Sequence, residues 1–83
     1  MVAGRGAGMT TLADWNTAPD WAQWYAIDSN GYGNWFMTKP FPVEGHVIGF
    51  WTFRNGVATG GYWHNLKHAD WHTAIEQRPQ EAR

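Results

Sequence analysis

The sequence predicts an α+β domain: a small antiparallel sheet of about four strands in two hairpins, with a short N-terminal helical turn and a C-terminal helix packed on one face. Three observations carry that reading. Ser29-Asn30-Gly31 and Asn55-Gly56 are turn-forming steps, each flanked by runs read with strand period and rich in aromatic and branched side chains. Asp70 precedes Trp71, Ala74 and Ile75, a spacing that lines one side of a helix, and Pro79 then stops it.

The elements follow in order along the chain. Residues 1–9 have no hydrophobic period and read as a disordered leader, with Met9 as an alternative start; 10–79 form one Trp-rich domain and 80–83 a frayed tail. Thr17-Ala18-Pro19-Asp20-Trp21-Ala22 reads as one helical turn, since Thr caps, Pro suits the first turn and Asp favours the N-terminal dipole. Gln23 to Asp28 has strand period and Asn34 to Thr38 returns beside it. Lys39-Pro40-Phe41-Pro42 lacks two ladder donors and reads as an extended surface loop. His46 to Arg54 and Val57 to Trp63 make the second hairpin across Asn55-Gly56, with Gly60-Gly61 marking a bulge or a close backbone approach. Trp71 to Arg78 is the helix. Ala13-Asp14-Trp15-Asn16-Thr17-Ala18 is echoed by Ala69-Asp70-Trp71-His72-Thr73-Ala74, which suggests the same Asp-capped, Trp-anchored turn used twice.

Composition explains how 83 residues can fold: 7 Trp, 4 Phe and 3 Tyr make the chain 17% aromatic and only 16% charged. Each buried Trp removes about 150 to 250 Å² from water, the largest contribution any residue type here can make. Trp15, Trp35, Trp51, Trp63 and Trp71 fall at scaffold positions, whereas Trp21 and Trp24 are left unsettled by the pattern. The composition also excludes. No run is long and apolar enough for a membrane helix, and the absence of Cys removes disulfides, thiol catalysis and Cys-type zinc sites. A formal charge of -1, with Lys39, Arg54, Lys67 and Arg78 the cations of the domain, argues against a nucleic-acid grip.

Catalytic and metal motifs are weak. His64, His68 and His72 are spaced four apart, but Asp70 as a helix cap would separate the first two from the third, so no metal site is assigned and these remain the residual metal candidates. Asp28-Ser29-Asn30-Gly31-Tyr32-Gly33 begins like a calcium loop and fails at its last position, where Lys39 stands in place of a bidentate Glu. Ser29 is the only serine and has no apparent base, so no enzyme and no cofactor is expected.

Two phrases carry a resemblance. Trp15-Asn-Thr-Ala18-Pro19-Asp-Trp-Ala22 has the form W-x-x-A-P-x-x-A, and Trp71-His-Thr-Ala-Ile75-Glu-Gln-Arg78-Pro79 the form W-x-x-x-I-x-x-R-P. With the aromatic strand Asp28 to Phe36 between them, the chain resembles small Trp-rich accessory proteins of tailed bacteriophages and prophages over residues 12 to 79. That resemblance implies a phage context, in a group mostly without an assigned activity; with the small size, the missing catalytic constellation and the aromatic excess, the expectation is a non-catalytic protein in the cytoplasm of an infected bacterium, binding a host or phage protein such as a defence or replication component. Trp21, Trp24, Tyr25 and Tyr32 are the candidate contact residues, because Trp and Tyr anchor small interfaces. A His-dependent metal protein and a self-assembling virion component, hence a homo-oligomer, are the alternatives.

Overall fold

The computed structural model describes residues 12–45, 47–65 and 70–80. Six strands form two antiparallel sheets: β1 Trp24–Ile27, β2 Tyr32–Phe36, β3 Phe41–Val43, β4 Phe50–Thr52, β5 Ala58–Trp63 and β6 Ile75–Gln77. The larger sheet has the order β5-β2-β1-β6, and β3 pairs with β4 in a two-stranded ribbon.

The first hairpin forms as its sequence predicts, with Tyr25 opposite Trp35 and Ile27 opposite Gly33. Its turn is closed by the Asp28 N–H to the Tyr32 carbonyl (2.9 Å) and by the Tyr32 N–H to Asn30 Oδ1 (3.1 Å). Alternation along β1 then divides the core. Tyr25, Ile27 and Trp35 pack on one face of the sheet with Ala13, Ala22 and Ala74. Ala26 and Phe36 pack on the other with Trp51 and Trp71. A sheet buried on both faces needs a cover on each, and the repeated hexapeptide supplies an anchor for both.

Trp15–Thr17 and Trp71–Thr73 are 3-10 turns. In each, the Thr N–H and Thr Oγ1 donate to the carbonyl of the preceding Asp, Asp14 or Asp70, at 2.8 to 3.0 Å, and the following Ala N–H donates to the Trp carbonyl. The same backbone bonds thus present Trp15 to the first core and Trp71 to the second, but the expected Asp cap forms only once: Asp14 Oδ1 accepts the Asn16 N–H (3.2 Å), whereas the Asp70 side chain makes no cap bond.

Three expectations are corrected. The C-terminal helix does not form: after the 3-10 turn the chain extends into β6, which pairs with β1 through Trp24 to Ala26. An isolated helix of about eight residues gains little by itself, whereas a strand here satisfies the edge of β1, with the Ile27 N–H donating to the Ala74 carbonyl and the Arg78 N–H to the Gln23 carbonyl. The fold is therefore sheet-rich, not α+β.

The second hairpin does not form either. Gly56 adopts the left-handed conformation (φ 92°) that the Asn-Gly step requires, but the turn docks on the end of β2, where Thr38 Oγ1 donates to the Asn55 carbonyl and the Met37 N–H to the Val57 carbonyl. That docking sends β5 alongside β2, while β4 pairs with β3. Gly60-Gly61 does mark an irregularity, a register shift against β2 between Tyr32 and Asn34. A side chain at Gly61 would meet the Gly33 carbonyl and the Tyr25 ring, so the strand approaches only because none is there.

The loop read at Lys39 to Pro42 is the third correction, since Phe41–Val43 is a strand. Pro42 lies opposite Trp51, whose N–H donates instead to Asp28 Oδ1 (2.8 Å), so this position of the ladder asks Pro for no hydrogen bond.

Candidate functional site

The two sequence phrases meet in space. Arg78 donates through Nη1 to the carbonyls of Ala22 (2.7 Å) and Pro19 (3.3 Å), and its guanidinium sits 5.4 Å from the centre of the Trp15 ring. Glu76 Oε1 accepts three N–H groups, from Leu12 (3.1 Å), Ala13 (3.2 Å) and the Trp15 indole (2.9 Å). Pairing with β1 holds Glu76 and Arg78 at the sheet edge, and together they fasten the N-terminal segment over the first core.

Beside that clamp lies an open cleft of about 620 Å³, lined by Leu12 to Asn16, Tyr62, His64 and Pro79. The Tyr62 hydroxyl accepts the Asp14 N–H at 2.6 Å, which ties the cleft wall to β5. Near its base the Tyr25 hydroxyl and His64 Nε2 share a hydrogen bond of 2.5 Å. Burial pushes the Tyr25 ionisation well above its ordinary value, helped by neighbouring Tyr62, and lowers that of His64. Both groups are neutral at pH 7, so the cleft presents an uncharged imidazole among aromatic walls.

A second feature is the outward side of the β3–β4 ribbon. Trp51 points into the core; one position away on either side, Phe50 and Thr52 point out, and their partners Val43 and Phe41 share that side. Phe41 and Phe50, diagonal neighbours across the ribbon, are each 38% exposed. Arg54 lies over the Phe41 ring, 5.5 Å from its centre. Beyond the ribbon end, Val47 is almost fully exposed.

The contact residues expected from sequence are distributed differently. Tyr25 is completely buried in the first core and is removed as a contact residue. Trp21 is half-buried against the first core; Trp24 is half-buried on the second, with Lys39 Nζ 5.3 Å above its ring. Tyr32 is half-buried and packs edge-on against Trp63, ring centres 4.9 Å apart. Trp63, assigned to the scaffold from its place in the strand, is 66% exposed and is the indole most open to solvent among the described residues.

His64 and His72 are not brought together. His64 bonds Tyr25 on one side of the molecule, His72 Nε2 contacts Glu44 Oε2 (2.6 Å) at the surface, and His68 lies outside the described residues. No group of three metal-ligating side chains occurs among the described residues.

Sequence reasoning missed Glu76, Phe41, Phe50 and Trp63. For Glu76 the nearby Arg78-Pro79 of the second phrase was the only signal; nothing in the alternation around Phe41 and Phe50 distinguishes outward from inward.

Among the described residues no helix is long and apolar enough to cross a membrane. Comparisons with protein-family models, curated proteins and solved structures find no match to this chain.

Proposed function

We propose that this chain is a non-catalytic accessory protein, of the kind carried by tailed phages and prophages, that binds a host or phage protein in the bacterial cytoplasm. The observation that carries the reading is the exposed aromatic side of the β3–β4 ribbon. The domain has two aromatic cores to fill, yet it leaves Phe41 and Phe50 at the surface on one side, with Arg54 over the Phe41 ring. Aromatic residues beside Arg are the composition of interface centres.

Four polar side chains help to hold the fold. Ser29 Oγ accepts the Gly49 N–H, Asp28 the Trp51 N–H, Asp14 the Asn16 N–H, and Glu76 its three donors. The phage context rests on the Trp15 to Ala22 and Trp71 to Pro79 phrases, and the clamp built from them gives those residues a structural role that any member with the same phrases would need.

Photo-crosslinking tests this reading. A benzophenone amino acid at Phe50, expressed in the bacterial host, is expected to yield one discrete adduct with another protein, and the same group at exposed Asp20, outside the ribbon, is expected to yield none. Equal labelling at both positions would overturn it.

A further inference from the structure

The strand edges of this molecule are protected unequally. On β4 the outer groups are taken by the first hairpin: Gly49 N–H donates to Ser29 Oγ, Ser29 N–H to the Gly49 carbonyl, and Trp51 N–H to Asp28. On β3 two prolines, Pro40 and Pro42, interrupt the donors. β6 is three residues long and followed closely by Pro79. β5 has no proline, no charge and no cover from another strand among the described residues, and its one irregularity, the register shift against β2, lies past Gly60. It is six residues long and the stretch from Asn55 to Trp63 contains no charged residue and no proline.

Hydrogen bonds at its two ends define which groups of β5 face out. The Met37 N–H donates to the Val57 carbonyl (2.9 Å), and the His64 N–H to the Gly31 carbonyl (2.7 Å). Counting by alternation from Val57, Thr59 turns its peptide groups toward β2, and Ala58 and Gly60 turn theirs outward. Ala58 and Gly60 have no backbone partner on that side among the described residues.

We propose that β5 pairs antiparallel with β5 of a second copy, about a two-fold axis at Thr59, joining two four-stranded sheets into one of eight. Three properties select a second copy as the occupant. The outward donors and acceptors of Ala58 and Gly60 are self-complementary: Ala58 of each copy exchanges both bonds with Gly60 of the other. Thr59 faces Thr59 of the second copy as the close, non-hydrogen-bonded pair, an arrangement that favours Thr with Thr. The edge is uncharged and the formal charge of the chain is only -1, so nothing repels an identical molecule. This association uses a different surface from the ribbon face, and either can fail without the other.

Thr59 is exposed, so its replacement tests the pairing without touching a core. Size-exclusion chromatography with light scattering on the purified chain, at concentrations up to the order of 100 µM, is expected to give a dimer for the wild type. Thr59→Lys and Thr59→Glu are each expected to give monomers that melt as cooperatively as the wild type, because like charges stand directly opposite at the axis. An equimolar mixture of the two is expected to dimerise again. A wild-type monomer across this range, a dimeric Thr59→Lys, or a mixture that stays monomeric would each overturn the proposal.

Discussion

Glu76 accepts the indole N–H of Trp15 at 2.9 Å, and the same carboxylate oxygen takes the N–H groups of Leu12 and Ala13. Residues 61 to 64 positions apart are thereby locked, and the N-terminal segment becomes the lid of the first core. Replacing Glu76 by Ala leaves three donors without this acceptor, and with hydrogen bonds to charged groups contributing about 1.5 to 3 kcal/mol each, a loss of about 3 kcal/mol or more is expected. Glu76→Gln keeps one carbonyl acceptor and should lose about half as much. Urea denaturation of the wild type and the two variants measures the difference; wild-type stability in both variants would show that the carboxylate's charge and bonds are immaterial.

Trp51 and Trp71 meet edge to face, ring centres 5.7 Å apart, with the Trp51 indole N–H donating to the Ile27 carbonyl (2.9 Å). Either Trp changed to Ala should cost about 3 to 5 kcal/mol, enough to unfold a domain of this size. Trp51→Phe and Trp71→Phe are the measurable versions. Because the rings touch, the double Phe variant should be destabilised by less than the two single effects added together, as a thermodynamic cycle from chemical denaturation would report.

Asp28 fastens the first hairpin to the ribbon by accepting the Trp51 N–H. Burial raises its ionisation above the usual carboxylate value, so the folded protein holds this proton more tightly than the unfolded chain. Its favourable contribution is present below the unfolded value near 3.8 and is lost as pH rises through the folded one. Asp28→Asn keeps an oxygen acceptor without the desolvated charge and should be as stable as the wild type or more so at pH 7. Asp28→Ala abandons the Trp51 N–H and should cost about 1 to 3 kcal/mol. Thermal melts at pH 7 rank the three.

Tyr25 and His64 give the stability profile two shoulders. The folded state keeps Tyr25 protonated above its ordinary value of 10.0, whereas the unfolded chain releases that proton, so stability declines as pH rises past about 10. His64 is the mirror case. The unfolded chain binds a proton below about 6.5 while the folded imidazole stays neutral, so stability declines as pH falls through that region toward the lowered folded value. Tyr25→Phe should flatten the alkaline shoulder and His64→Gln the acidic one in denaturation midpoints collected from pH 5 to 11. Unchanged shoulders would remove these residues as their source.

Local chemistry in the sequence is faithfully expressed. Asp28 to Gly33 turns the first hairpin, the two Asp-Trp-x-Thr-Ala phrases each make a 3-10 turn with the same backbone bonds, Gly56 takes the left-handed conformation, and Gly60-Gly61 disturbs the register of β5. What local chemistry does not specify is the partner of each strand. Asn55-Gly56 fixes a turn, yet the choice between β4 and β2 as neighbour of β5 is made by Thr38 and Met37 binding that turn, contacts about 17 to 20 residues away in sequence. Trp71, Ala74 and Ile75 fit a helical stripe, but Ala74 and Ile75 equally fit opposite faces of a strand, and the open edge of β1 decides between them. The proposed contact surface was hidden for the same reason. Period-two alternation puts Trp51 and Phe50 on opposite sides of β4 without saying which side meets the larger sheet, and Trp63 lies at the end of β5 where the cover runs out.

Protein binding by the outward face of the β3–β4 ribbon is tested by affinity capture from bacterial host lysate, comparing the wild type with a Phe41→Ser, Phe50→Ser double variant once circular dichroism has shown both to be folded. A stoichiometric partner is expected to be retained by the wild type and lost from the variant by at least about tenfold, equivalent to about 1.4 kcal/mol of binding. A partner held equally by both proteins, or no partner for either, would contradict it.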